Sequence, residues 1–515
     1  MRKTDGHESD LICPTGPGKT GESGAPDLNG SRVSARLQRT SGQSPSLRRR
    51  EAVQPRPVAR LDRLLWLLAG MGLLAWTGCR GIPAARESQL RNDLATVTDV
   101  YQPGRDRQTL PTLDGEAGLQ SYLAHAMLND PRVRAAYFDW AASVERVTQM
   151  RSLPDLRLTF QMDIGEIVSA VMPGLMQEFP GPGKLRLRAE AATAESEARY
   201  QRFVEEVLRA AYRVKQAYYR LYFLEDTLRV NREMLRLLAE LETIARAQNE
   251  AGKVTLQDVL RAQIEQDRIQ TEIENLEDSR HPLIAQFKAA LGLQADAPAP
   301  PLPKRFESTP LDLDADRLLA RAYELNPRLK AMAAEVARAE ASLRLAYKSR
   351  VPDFSAGVMA DAKAAPVMVR PAVGMTLPIW RDKIAAEIAQ AQAEKGAAEA
   401  RLSAEEITLA VAFAERMFSY RESERNLKLL LQRLIPKARQ SLEVARAGYL
   451  AGQIDFFNLI DAERTLLNFQ LAEVDARLQR ELALAELSLV IVGITPEGAP
   501  VLSSRSASDF SPEAQ

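Results

Sequence analysis

The chain repeats itself. The stretch ARAGYLAGQIDFFNLIDAERTLL, residues 445–467, answers ARAQNEAGKVTLQDVLRAQIEQD, residues 245–267, at a constant offset of 200 positions and without a gap. Ala245/Ala445, Arg246/Arg446, Ala247/Ala447, Ala251/Ala451, Gly252/Gly452 and Ala262/Ala462 are identical pairs. In each copy a long helical run ends at a glycine, and a new apolar-periodic helix begins a few residues later. A glycine there takes a left-handed conformation at low cost, so one helix can stop and another can fold back beside it. Two hundred residues is far longer than a solenoid unit, which makes this a duplicated half-molecule.

The punctuation of the halves agrees. LDGEAGLQSYLAHAMLNDPRVRAA, from Leu113, is answered by LDLDADRLLARAYELNPRLKAM, from Leu311. Both carry an Asn (129, 326) and a Pro (131, 327) where a second helix opens, because proline suits a first helical turn. Both second helices stop at the same dipeptide, Pro154-Asp155 and Pro352-Asp353.

Beyond those prolines the period changes from 3.6 to 2. Leu158, Phe160 and Met162 alternate with Arg157, Thr159, Gln161 and Asp163, and Phe354, Ala356 and Val358 alternate with Ser355, Gly357 and Met359. A returning strand follows each, bent at Pro173-Gly174 in the first half and interrupted at Pro371 in the second. The sequence thus predicts one β-hairpin per half, about 155–179 and 353–377. Two long helical stretches follow, about 184–250 and 383–450, the second kinked or split at Pro436. Helices over about 254–292 and 454–492 return. The repeats run 113–294 and 311–495, joined by the Pro-rich linker 295–310, with a disordered tail at 496–515.

Composition narrows the function. The 515 residues hold 68 basic and 68 acidic side chains, so no net field draws the chain to nucleic acid. Two cysteines and three scattered histidines leave no metal-ligand set and no nucleophile–base pair. No enzyme and no cofactor is expected. Residues 1–57 are polar and without apolar period, a disordered extension or a mis-assigned start. Arg60 and Arg63 then precede LLWLLAGMGLLAWTGC, whose apolar run is too short to span a bilayer and has the layout of a signal peptide over 58–78. That places the expected translation start near Val58. The run ends in Thr77-Gly78-Cys79, which resembles the lipobox of bacterial lipoproteins and implies lipidation of Cys79; Trp76 departs from the usual Leu. Residues 79–112 read as an irregular arm.

Two hairpins with one apolar face each cannot bury that face within one chain, and an isolated hairpin is marginal. Four strands do not close a barrel, whereas three copies would supply twelve, an even number within the outer-membrane range. The expected fold is therefore mainly α with a membrane β-barrel. Outward Leu, Phe and Val would face lipid, and Arg, Thr, Gln and Asp would line water. A rival architecture is a periplasmic coiled-coil lipoprotein scaffold or adaptor without a pore; the change of period opposes it.

The duplicated halves, the hairpin after each Pro-Asp, the PGK and LPIWRDK junctions and the GY–AG–DFFNLIDAE turn together resemble the TolC-like outer-membrane efflux proteins over about 113–493. The resemblance implies a homotrimer in which a 12-stranded barrel sits on a long α-helical barrel crossing the periplasm. Gly252 and Gly452 would mark its periplasmic tips, meeting a periplasmic adaptor and an inner-membrane pump. The family's D-V-L-D-A gate corresponds to Asn458-Leu459-Ile460-Asp461-Ala462, so Asp461 matches and Asn458 departs; Asp258 and Arg261 hold the equivalent places in the first half. Threefold symmetry would turn each of these into a ring able to repel, bind cations or pair with a neighbour. Six of the 13 methionines stand near the hairpins, and MQEFPGPGKLRLR with VGMTLPIWRDK resembles the heavy-metal branch. Filling packed or lipid-facing positions accounts for those thioethers better than ligation does, and metal export stays open as a substrate class.

Overall fold

A computed structural model describes residues 84–104, 110–114, 118–164, 168–302, 306–309, 314–361, 363–364 and 366–502. The expected signal segment, 58–78, and Cys79 lie outside the described residues. The first half comprises α1 (Ala85–Tyr101), α2 (Leu119–Asn129), α3 (Pro131–Arg151), β1 (Arg157–Ile164), β2 (Val168–Phe179), α4 (Lys184–Glu250) and α5 (Leu256–Ala290). The second comprises α6 (Ala315–Leu325), α7 (Pro327–Tyr347), β3 (Phe354–Asp361), β4 (Met368–Met375), α8 (Arg381–Leu429), α9 (Ile435–Leu450) and α10 (Phe456–Ala485). The paired short helices match in length, with 11 residues in α2 and α6 and 21 in α3 and α7. Among the described residues no helix is long and apolar enough to cross a membrane.

At α2/α3 and α6/α7, the Asn-Pro punctuation does what its chemistry allows. Asp130 accepts from Arg132 N at 2.8 Å, and Asn326 accepts from Arg328 N at 2.9 Å, so each cap satisfies an orphan donor of a helix that opens on proline. The 67 residues of α4 span about 100 Å at 1.5 Å per residue. In the second half the same run is interrupted. A π-helical turn, Leu430–Leu434, precedes Pro436 and absorbs the backbone mismatch, so α8 and α9 follow one another directly. A second π segment, Glu486–Val492, ends the returning helix.

The two hairpins form one antiparallel sheet in the order β1-β2-β3-β4. Its central pairing, Gly174↔Met359 through Phe179↔Phe354, joins the halves. The junction is reinforced at Asp353, whose carboxylate accepts from Gly181 N at 2.6 Å and from Lys184 Nζ at 2.7 Å. Pairing in register sets Leu158, Phe160, Leu175, Val358, Val369 and Val373 on one face. These six side chains are between 44 and 85 % exposed, so nothing among the described residues covers them. The other face carries Arg157, Thr159, Gln161, Glu178, Ser355 and Arg370, with Arg157 paired to Glu178 at 2.8 Å. The prolines are tolerated: Pro371 lies on edge strand β4, and the pairing of β2 with β3 begins one residue after Pro173.

The core lies between the helices. Trp140, Tyr200 and Phe203 pack where α3 meets α4, and Tyr218 and Tyr219 are fully buried, Tyr219 against Phe306 of the linker. Two expectations need correction. The arm is helical: Leu90, Val97 and Tyr101 recur on one face of α1 and are buried. The tail is ordered through residue 502, because Ala499, Val501 and Leu502 pack on the main core and Leu502 N donates to Tyr200 Oη at 3.0 Å.

Candidate functional site at the helical tips

The duplicated turns close by the same hydrogen bonds. Gly252 N donates to Asn249 O at 2.9 Å and Lys253 N to Gln248 O at 2.9 Å; Gly452 N donates to Tyr449 O at 3.0 Å and Gln453 N to Gly448 O at 2.8 Å. Gly252 and Gly452 sit at φ +70° and +72°, with open space where a side chain would point. Conformation, not room, therefore demands glycine. Asp455 then caps α10 by accepting from Asn458 N at 3.0 Å.

The two tips meet through their helix starts. Arg261, on α5, lies over the ring of Phe457 on α10, 5.7 Å from its centroid. Asp258 is half-buried on the first turn of α5. Partial burial pushes its carboxyl up, Arg261 opposes that and Asp455 adds to it. Beneath them Tyr449 packs on Phe456 with ring centroids 5.3 Å apart, and burial beside Asp258 pushes the phenol up to about 12. Thus Asp258 and Arg261 come together with Asp455 and Phe457. Asp461 and Asn458 are exposed on α10, and Asp461 acts on Arg464, one turn farther along.

The sequence reading missed the interior of the tip. Glu463 is 1 % exposed, and neither carboxyl oxygen has a hydrogen-bond partner. Burial and the neighbouring Glu265 push it up to about 8. Glu265, itself buried, is paired with Arg464 and with Arg268 at 3.6 Å. The signal was present, since Glu463 shares a helical stripe with buried Phe456, Leu459, Ile460 and Leu467. A carboxylate on an apolar stripe is an anomaly by itself.

Among the described residues no group of three His, Cys, Asp or Glu side chains could hold a metal ion. The hairpin methionines divide by face: Met162 and Met375 stand with the apolar residues, whereas Met172, Met176, Met359 and Met368 stand with the polar ones.

Known proteins resemble this chain in sequence or in fold. A curated relative, the cobalt-zinc-cadmium resistance protein CzcC of Cupriavidus metallidurans, is 27% identical over 230 residues, 42% of this chain and 51% of its own length. The chain thus spans about half the length of that relative. A membrane protein from Pseudomonas aeruginosa superposes with TM-score 0.64 at 19% identity, covering 76% of this chain and 99% of that one. The outer membrane protein VceC of Vibrio cholerae superposes with TM-score 0.62 at 17% identity, covering 73% and 96%. At those identities the likeness is one of fold. The sequence pattern described as outer membrane efflux protein matches residues 123–293 and 318–491, one segment in each half of the duplication. Those two segments make up more than half of the chain, which belongs to the outer membrane efflux protein family.

Proposed function

We propose that three copies of this chain form a passive outer-membrane duct, the exit of a tripartite system that a partner pump energises. The observation that carries this reading is the sheet: four strands with one apolar face uncovered and two edges, β1 and β4, that lack a neighbour among the described residues. Edges cannot stay open in lipid, because unpaired backbone groups there cost several kcal/mol each. Joining β4 of one copy to β1 of the next removes every edge and closes twelve strands. The strands have 8, 12, 8 and 8 residues, near the ~9–11 that cross an outer membrane. The apolar face then meets lipid and the Arg157 face lines the lumen.

In this reading the tips at Gly252 and Gly452 form the periplasmic mouth, with Asp461, Asn458, Asp258 and Arg261 around it. A periplasmic adaptor docks there and links the duct to an inner-membrane pump. Cys79 carries the lipid anchor. The relative's role in cobalt, zinc and cadmium resistance supports metal ions as cargo. The test is the mass of the membrane-extracted particle in mild detergent, with gel mobility before and after heating. A heat-modifiable trimer that conducts in planar bilayers is the expected result. A monomer or dimer without detergent-bound strand would replace the duct with a scaffold.

A further inference from the structure

Inside the tip the two halves place their acids differently. In the first half Gln263 of α5 donates to Glu242 of α4 at 2.8 Å, and Gln266 donates to the other oxygen of Glu242 at 2.9 Å. The duplication sets Glu463, Leu442 and Leu466 at the positions of Gln263, Glu242 and Gln266. The second half therefore sets an acid where the first half has an amide donor and has leucine in place of Glu242 and Gln266; Arg446, the counterpart of Arg246, is kept but pairs with Glu240 instead. Both oxygens of Glu463 are buried and unpartnered. A carboxylate so placed is unfavourable, whereas a neutral carboxyl is tolerated.

The surrounding charges leave it in that state. On α5 the neighbour is Glu265, whose charge is engaged by Arg464 and Arg268. On α4, Glu242 is held by Arg246, Gln263 and Gln266, and Glu240 pairs with Arg446 of α9 at 3.6 Å. On α8, Glu424 faces Arg480, farther from the tip. Of these groups, the one whose field reaches Glu463 is Glu265, and it opposes ionisation. Arg464 stands between two acids, bound to Glu265 and under the influence of Asp461.

We propose that Glu463 is a proton-binding site that sets how tightly the tip packs: protonated it seats α10 against its neighbours, and deprotonated it draws in water or Arg464 and loosens α10 at the level of Asp461. The proton leaves to solvent, and the anion left behind competes with Glu265 for Arg464. A link from this proton to conduction rests on the duct reading; the proton site itself does not.

The experiment uses the full chain purified from membranes. Infrared difference spectra follow the protonated-carboxyl stretch between about pH 6 and about pH 9 for wild type, Glu463→Gln and Glu265→Gln. A band that vanishes with a midpoint near about 8 in wild type, is missing in Glu463→Gln and titrates lower in Glu265→Gln is expected. Complete titration below that window, or a band that survives in Glu463→Gln, overturns the proposal. Planar-bilayer conductance over the same window then tests coupling, with a wild-type rise at the infrared midpoint that is lost in Glu463→Gln. Retention of the rise in that variant overturns the coupling. An infrared titration without any conductance leaves the proton site standing and removes the duct.

Discussion

Asn129 donates its side-chain amide to the carbonyl of Leu291 at 3.0 Å and to that of Gly292 at 3.1 Å, across 162 and 163 residues. Asn326 does the same for the second half, donating to Ile491 O at 2.9 Å. Each asparagine therefore fastens the end of the short opening helix to the last turn of the returning helix, and closes one half as a unit. Orphan carbonyls at a helix end need such a partner when water is excluded. Asn129→Ala and Asn326→Ala should each destabilise the protein by about 1–3 kcal/mol, read by chemical denaturation. An effect confined to one half would argue against equivalent closure.

Much of this was legible. The Asn129-Asp130-Pro131 and Asn326-Pro327 junctions and the two Pro-Asp dipeptides lie at helix and strand boundaries because backbone chemistry is local: proline fixes φ and removes a donor wherever it stands. The hairpins were legible because alternation needs only two-residue spacing. The helix α1 was missed, although Leu90, Leu94, Val97 and Tyr101 stand at helical spacing, because its other faces are polar and its partner α3 is distant in sequence. The packing of Leu502 on Tyr200 depends on a contact across 302 residues that no local pattern encodes. At the tip, Gly252, Gly452 and the helix starts were visible, but the isolation of Glu463 required knowing which neighbours lack polar groups.

At the turns, replacing Gly452 by Ala puts a Cβ on a left-handed residue with no steric contact around it. The loss should be about 1–2 kcal/mol, from conformation alone. Gly252→Ala should match it within about 0.5 kcal/mol, since both turns share one hydrogen-bond pattern. Denaturation midpoints of the two variants check this.

Asp461 is exposed, and in a trimer three copies would face one opening. Asp461→Asn should lower the preference for cations over anions, measured as a reversal potential under a salt gradient. Arg261→Ala removes the cation over Phe457 and should raise conductance if that contact ties the tips together. An unchanged reversal potential in Asp461→Asn would move the selective ring elsewhere.

Stability should fall and then recover with pH. Glu463 has its folded value raised to about 8 from 4.5, so the folded state binds more protons between those values and stability declines as pH rises through that window. Lys215 has its folded value lowered to about 8 from 10.5 by burial, opposed by Glu481 and Glu307. Above about 8 the unfolded chain therefore holds the extra proton, and stability rises toward 10.5. Glu463→Gln should flatten the acid limb and Lys215→Met the alkaline limb, in urea unfolding across the range.

The π-helical turn predicts an asymmetry between the halves. Pro436 cannot donate a backbone hydrogen bond, and its ring would clash with the preceding turn of a regular helix. The widened turn at Leu430–Leu434 accommodates both problems. In the first half the same position is Arg236, exposed on an unbroken α4. Arg236→Pro should therefore destabilise by about 3 kcal/mol or more, because α4 has no widened turn there. Pro436→Ala should change stability by less than about 1 kcal/mol, since the missing bond is already accommodated. Equal losses in the two variants would mean that the π turn is a consequence of neighbouring packing and not of the proline.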